Sequence, residues 1–206
     1  MDPVRYISNE SSGKQGYEIA LALSRLGVKT TLVAGPTSIN FSKDIKVKKI
    51  VNADEMMAAV QKLLPVDVAV CAAAVADFKP KNKNKQKIKK DKQNLNSLNL
   101  EKNRDILEYL SKNNKLRPKL VVGFSAETEN LIENSTQKLN QKHCDMIIAN
   151  DISKKETGFN VDHNKISIVE RSGKIESIPK NTKSYIAVKI AKKIIDKLLV
   201  NDKNTN

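Results

Sequence analysis

The sequence predicts an α/β fold: a Rossmann-like, mostly parallel sheet with helices on both faces and a lysine-rich flap. Three observations carry this. Strand-like and helix-like segments alternate almost from end to end, the pattern of βαβ units. The run over residues 66–76 is apolar except at Asp67, as a central parallel strand buried on both faces would be. The tract from Pro80 to Leu98 is nearly all Lys, Asn, Gln and Ser, too polar for a core, so residues 79–98 read as a protruding flap.

In chain order, a first helix is expected over residues 12–26, with Ser11 or Ser12 as N-cap and Gly27 as its terminator. Tyr17, Ala20, Leu21 and Leu23 supply its apolar residues. A strand over 29–34 follows, closed by Gly35 and Pro36. A short strand at 48–51 leads into Asn52 and Glu55, a capping-box pair, and a helix through Leu64 that stops at Pro65. Beyond the apolar run come strands at 120–124, 146–149 and 166–170, with helices near 104–112 and 127–143 between them. A last helix over 182–200 repeats Ile186, Ile190, Ile194 and Leu198 at helical spacing, and residues 201–206 read as a disordered tail. The chain opens on a loop, whereas a doubly wound fold usually begins with a strand feeding its phosphate-binding turn.

With 206 residues and 39% hydrophobic content, the chain can bury one good core, so one domain over residues 1–200 is expected. No run approaches the roughly eighteen apolar residues of a membrane span, and the N-terminus lacks a signal-peptide pattern; a cytoplasmic protein without a membrane partner is expected. Cys71 and Cys144 have no CxxC spacing, and His143 and His163 are too few for a metal cluster, so the cysteines read as structural thiols. The net charge of +14 attracts polyanions of any size, although its Lys, Asn and Ile bias is equally that of a solvated surface.

Several segments carry candidate chemistry. The opening loop, with Arg5 and Asn9, feeds a helix N-terminus, where free N–H groups favour an anion. Gly13-Lys14 is not a Walker P-loop, because Ser8 stands at the first glycine and Gln15 at the metal-binding hydroxyl. Asp77 follows the small residues Ala72, Ala73 and Ala74 at the expected ligand crevice. It could accept from a base or ribose, help hold Mg²⁺, or simply cap a turn. Asn150-Asp151 poses the same alternatives. Lys87, Lys89 and Lys90 could neutralise a triphosphate or a leaving pyrophosphate. Nucleic acid is the rival, but no interleaved aromatics or RNA-binding signature accompany them. Lys138 and Lys142, four apart, share a helix face that spacing alone reads as solvated.

Taken together, five ordered blocks resemble the phosphopantothenate–cysteine ligase (phosphopantothenoylcysteine synthetase) domain of the bacterial coenzyme A biosynthesis flavoprotein. They are residues 2–9 with 11–14, 72–78, 87–90, 122–128 and 149–151, and the likeness covers almost the whole chain. The resemblance implies a two-step ligation: 4′-phosphopantothenate attacks the α-phosphate of CTP, releasing pyrophosphate, and L-cysteine then displaces CMP from the acyl-cytidylate. It implies Mg²⁺ but no FMN in this domain, a homodimer whose flap crosses the interface, and an upstream flavin-dependent decarboxylase domain. By motif, Asn9 resembles the catalytic asparagine, and Arg5, with Asn9 and Ala73, the substrate-side residues. Cys71, Ala72, Ala73, Asp77, Arg104, Asp105, Ile106, Leu107 and Phe124 resemble the cytidine nucleotide pocket, and Lys87, Lys138 and Lys142 the triphosphate-facing lysines, Lys87 also acting in catalysis. Two departures stand out: Arg104 where many members have proline, and no counterpart of the family's first strand and glycine-rich turn, as in an N-terminally truncated domain. The alternative is a basic nucleotide- or RNA-binding α/β module without ligase activity. An NAD-type oxidoreductase is disfavoured, because no GxGxxG follows a strand.

Overall fold

The computed structural model describes residues 1–89, 97–112, 115–153 and 161–200, and the backbone of 201–203. Helix α1 (Lys14–Arg25) leads to strand β1 (Thr31–Ala34) and strand β2 (Lys46–Lys49). Helix α2 (Ala53–Leu63) precedes β3 (Val68–Cys71), β4 (Phe78–Pro80) and β5 (Leu100–Lys102). Helix α3 (Ile106–Ser111), β6 (Leu120–Glu127), α4 (Leu131–Lys142) and β7 (Met146–Asp151) follow. Strands β8 (His163–Glu170) and β9 (Ile175–Thr182) and helix α5 (Lys183–Lys203) complete the described elements.

The main sheet has the order β3-β6-β7-β8-β9. Its first three strands are parallel, whereas β8 and β9 join antiparallel to β7 and to each other. Strands β1 and β2 form a separate parallel pair, and β4 and β5 an antiparallel one. The α/β expectation therefore holds, with a mixed rather than purely parallel sheet. Strand β9 was not foreseen. Its sequence is mostly polar and buries Ile178 alone, so it lacks the alternation that marks a strand.

Side-chain alternation along β6 and β7 builds the core on both faces. Leu120, Val122, Met146 and Ile148 face Ile19 and Leu23 of α1 and Ile186, Ile190 and Ile194 of α5. Val121 and Ile147 face Met56 and Met57 of α2, Leu107 and Leu110 of α3, and Leu139 of α4. Burying each such side chain contributes roughly 1.5–3 kcal/mol relative to leaving it exposed.

Other expectations are corrected. The apolar run is strand only over Val68–Cys71, and this strand lies at one end of the five-strand order, half-buried along its length. The strand buried over its first half is β6, which has neighbours on both sides. Helix α1 takes Gly13 as N-cap, at φ 73°; Ser11 and Ser12 instead accept from the Gly13 and Lys14 N–H groups, each at 3.3 Å. The Asn52–Glu55 box forms as expected, with Glu55 N–H donating to the Asn52 side chain at 3.0 Å and Val51 N–H to the Glu55 carboxylate at 2.8 Å. Helix α4 starts at Leu131, since Glu127 still belongs to β6. Helix α5 continues through Lys203, past the limit expected for it.

Gly123 of β6 is the tightest point of the sheet. A Cβ there would stand 2.7 Å from both Leu107 Cδ2 and Ile147 Cδ1. Gly123→Ala is therefore expected to destabilise the fold by about 1–3 kcal/mol, read as a lower urea midpoint at unchanged m-value. Leu107→Ala in the same chain removes one of the two clashes and should recover part of the loss; an unchanged midpoint for Gly123→Ala would refute the constraint.

Candidate active site

The C-terminal ends of β3 and β6 open into a cavity of about 2390 Å³. Small residues make this possible. Gly16 brings α1 against the strand end, where a Cβ on it would meet Ala72 Cβ at 3.4 Å. Past β3 the chain leaves the sheet as a loop of alanines, held by two asparagines. Asn9 Nδ2 donates to the Val75 carbonyl at 3.2 Å, and Asn103 Nδ2 to that of Ala76 at 2.7 Å. Asn103 N–H also donates to the Asp77 carbonyl at 2.8 Å. The opening loop and the loop after β3 are thereby one hydrogen-bonded unit.

The opposite wall is the start of α3. Asp105 is its N-cap, accepting from Glu108 N–H at 2.8 Å, and its other oxygen lies 2.8 Å from Lys142 Nζ. The Asp105 hydrogen bond raises the Lys142 pKa. Burial alone would raise the Asp105 pKa, but the Glu108 amide, Lys142 and nearby Lys138 outweigh it and hold the carboxyl below its usual range. The solvated-face reading of Lys142 is thus corrected to an ion pair across two helices. Helix α4 is anchored by Asn130 and ends at His143, both in left-handed conformation.

Of the site residues that the family resemblance implies, all except Arg5 and Lys87 line this cavity. Cys71, Ala72, Ala73 and Asp77 come from β3 and its loop, Arg104, Asp105, Ile106 and Leu107 from the α3 start, Phe124 from β6, Lys138 and Lys142 from α4, and Asn9 from the opening loop. Arg5 turns to Asp2 and the Ile88 carbonyl. Lys87 and Lys89 are exposed; Lys90 lies outside the described residues. Lys79, in the β4–β5 pair, sits 2.8 Å from Asp54 at the α2 start.

Burial pushes the Cys71 thiol up to about 12 and that of Cys144 up to about 11, so neither serves as a thiolate at neutral pH. Lys14 pairs with Asp162 at 2.6 Å. Asp151 accepts from Ser153 N–H at 3.1 Å and Ser153 Oγ at 2.6 Å, the capping alternative for that residue. Asn103 escaped sequence reading because only the β4–β5 pairing returns it to the strand end. The site thus offers lysine and arginine cations, small residues that admit a ligand to the backbone, and amide groups at the strand end: the requirements for a phosphorylated ligand whose charge grows during reaction. Among the described residues no helix is long and apolar enough to cross a membrane.

Comparison with known proteins agrees. The profile described as DNA/pantothenate metabolism flavoprotein C-terminal domain matches residues 1–198. The coenzyme A biosynthesis bifunctional protein CoaBC of Borreliella burgdorferi is 39% identical over 194 residues, covering 93% of this chain and 48% of that protein. The chain thus spans about half the length of the curated relatives it matches. The crystal structure of a CoaBC C-terminal domain superposes with a TM-score of 0.78 at 34% identity, over 98% of this chain and 89% of that one. The phosphopantothenate–cysteine complex of a Cab2 H337A mutant shares the fold, with a TM-score of 0.73 at 17% identity over 97% of this chain and 83% of that one. By its sequence over nearly the whole length and by its fold, the chain belongs to the DNA/pantothenate metabolism flavoprotein C-terminal domain family.

Proposed function

We propose that this chain is a CTP-dependent ligase that joins 4′-phosphopantothenate to L-cysteine in coenzyme A biosynthesis. The observation that carries the reading is the convergence of Asn9, the Ala72–Ala74 strand end and the Lys142–Asp105 wall on one cavity. Family membership and the name of the Borreliella relative support it.

A carboxylate is a poor electrophile until its oxygen belongs to a good leaving group, so activation precedes amide formation. The pantothenate carboxylate oxygen bonds to the α-phosphorus of CTP as the bond to the β-phosphate oxygen breaks, releasing pyrophosphate. The cysteine amine then attacks the acyl carbon, the bond to the CMP oxygen breaks, and the amine loses a proton. Lys138 and Lys142, with Lys87 brought by the flap of a second subunit, take the triphosphate charge. Asp77 and the α3 start receive the cytidine, Arg5 and Ala73 the pantothenate side, and the Asn9 amide holds the acyl group. Among the described residues, no three carboxylate, imidazole or thiol side chains converge on a metal position. Under this reading Mg²⁺ would be carried on the phosphates of the nucleotide. We place the protein in the cytoplasm, beside an upstream flavin-dependent decarboxylase domain in a longer chain, as the bifunctional relatives suggest.

The same cavity continues as an apolar slot between β1 and β3. Ile19, Leu23, Ile195 and Leu198 line one side of it and Met56, Val60 and Leu64 the other, and neither strand has a second partner among the described residues. Helix layers on two sides and strand edges on the others form a seat for one more strand, which would complete the domain. A version extended by an apolar strand ahead of Met1 should melt several degrees higher than the 206-residue chain; an equal melting temperature would remove this reading.

In such an extended protein, pyrophosphate release should require CTP and phosphopantothenate, and amide formation cysteine as well. Asn9→Asp should keep the first step and slow amide formation by about 100-fold, the loss typical for one removed donor at a developing oxyanion. A folded protein that neither binds nor cleaves CTP would refute the ligase. Steeply salt-dependent RNA binding, unaffected by CTP and weakened by replacing Lys87, Lys89 and Lys90, would put an RNA-binding module in its place.

A further inference from the structure

The opening loop and the lysine segment meet at Ile88, through two side chains. Asp2 Oδ1 accepts from the backbone N–H groups of Val4 and Arg5, each at 2.9 Å. Its Oδ2 accepts from Arg5 Nε at 3.0 Å, Arg5 Nη2 at 2.5 Å and the Ile88 N–H at 3.1 Å. Arg5 Nη2 in turn donates to the Ile88 carbonyl at 3.0 Å. Both backbone groups of Ile88 are therefore held by neighbouring side chains, and a second bond, Asn84 N–H to the Met1 carbonyl at 2.9 Å, secures the segment four residues earlier.

The Asp2 side chain is wholly enclosed, at 0% exposure. An enclosed carboxylate must be matched by donors, and these are charge-assisted bonds, about twice as strong as neutral ones. Lys87 and Lys89 flank the held peptide, and both are exposed. The clamp thus grips the backbone and leaves the lysine side chains free. The same loop carries Asn9 to the strand end, so Asn9 and the Ile88 contact are both tied to one short segment.

We infer that Asp2 is a positioning residue: by holding the Ile88 peptide together with the Arg5 guanidinium, it sets where Lys87 and Lys89 stand for a phosphorylated ligand. The inference rests on the ligase reading for the identity of that ligand. A carboxylate acting only through its charge would do the opposite, because removing it would tighten binding of a polyanion. The sign of the effect therefore separates the two roles.

The experiment compares the full chain with Asp2→Asn and with Arg5→Lys, which keeps the charge but loses the fork. Exchange of the Ile88 amide, followed by NMR, should speed up at least tenfold in Asp2→Asn and by less in Arg5→Lys, with β6 and α5 amides unchanged. CTP should bind about tenfold more weakly to Asp2→Asn, and that loss should shrink below twofold when Lys87 and Lys89 are already alanine. Unchanged Ile88 exchange, tighter CTP binding, or an undiminished effect in the alanine background would overturn the inference. Should Asp2→Asn fail to fold, Arg5→Lys decides by the same readouts. Wild-type protein that binds no CTP would refute the ligase reading instead, while faster Ile88 exchange would still support the clamp.

Discussion

A side chain at position 123 would have to displace Leu107 and Ile147. The 2.7 Å approach to Leu107 and Ile147 lets α3 lie directly on a buried strand. Interiors are packed too closely to absorb an extra carbon without displacement. Because Leu107 is seated there, the first turn of α3 faces the end of β3, and Asp105 at its cap comes within 2.8 Å of Lys142 on α4. The wall of the cavity is thus set by a contact in the core: one residue without a side chain decides where a helix rests, and the helix decides where an ion pair can form.

Electrostatics follows a similar local logic. The excess of lysine and arginine is a bulk property, yet several cations at or beside the site have carboxylate partners. Lys142 has Asp105, Lys79 has Asp54, and Arg5 has Asp2. The partly exposed pairs among them, Lys142–Asp105 and Lys79–Asp54, contribute little to stability, roughly 0–1 kcal/mol. Their effect is to fix directions. Asp105 holds Lys142 toward the crevice, and Asp54 holds Lys79 at the root of the β4–β5 pair, so the lysine tract leaves the body from a determined point.

Legibility in the sequence tracked the range of the interactions. Helices α1, α2, α4 and α5 and strands β1, β3, β6, β7 and β8 were read because their signals are local: helical spacing, an Asn52–Glu55 box, Gly27 after a helix, apolar runs of strand length. Strands β4 and β5 were not read, since three residues each carry no periodicity and the pairing spans a long polar tract. Asp77 was singled out because open α/β sheets place ligands beyond their strand ends, whereas the α3 start was singled out only through the family resemblance. The Ile88 clamp, Asn103 and the Lys142–Asp105 pair were not, because they join residues far apart in sequence and depend on tertiary placement alone.

The Lys142 pairing also bears on how a phosphorylated ligand would enter. Two ammonium groups one helical turn apart repel, and without a counter-charge α4 would carry that cost beside the cavity. Asp105 supplies the counter-charge and is itself held by the Glu108 amide, so it stays in place if Lys142 turns away. Lysine suits this arrangement. Its charge is a single point on a flexible stem, able to move from a carboxylate to a phosphate without rebuilding a planar fork. An arginine in its place would gain a bidentate hold on Asp105 and give it up less readily. Under the ligase reading, the pair is a cation stored in position, with the helix cap as the half that does not move.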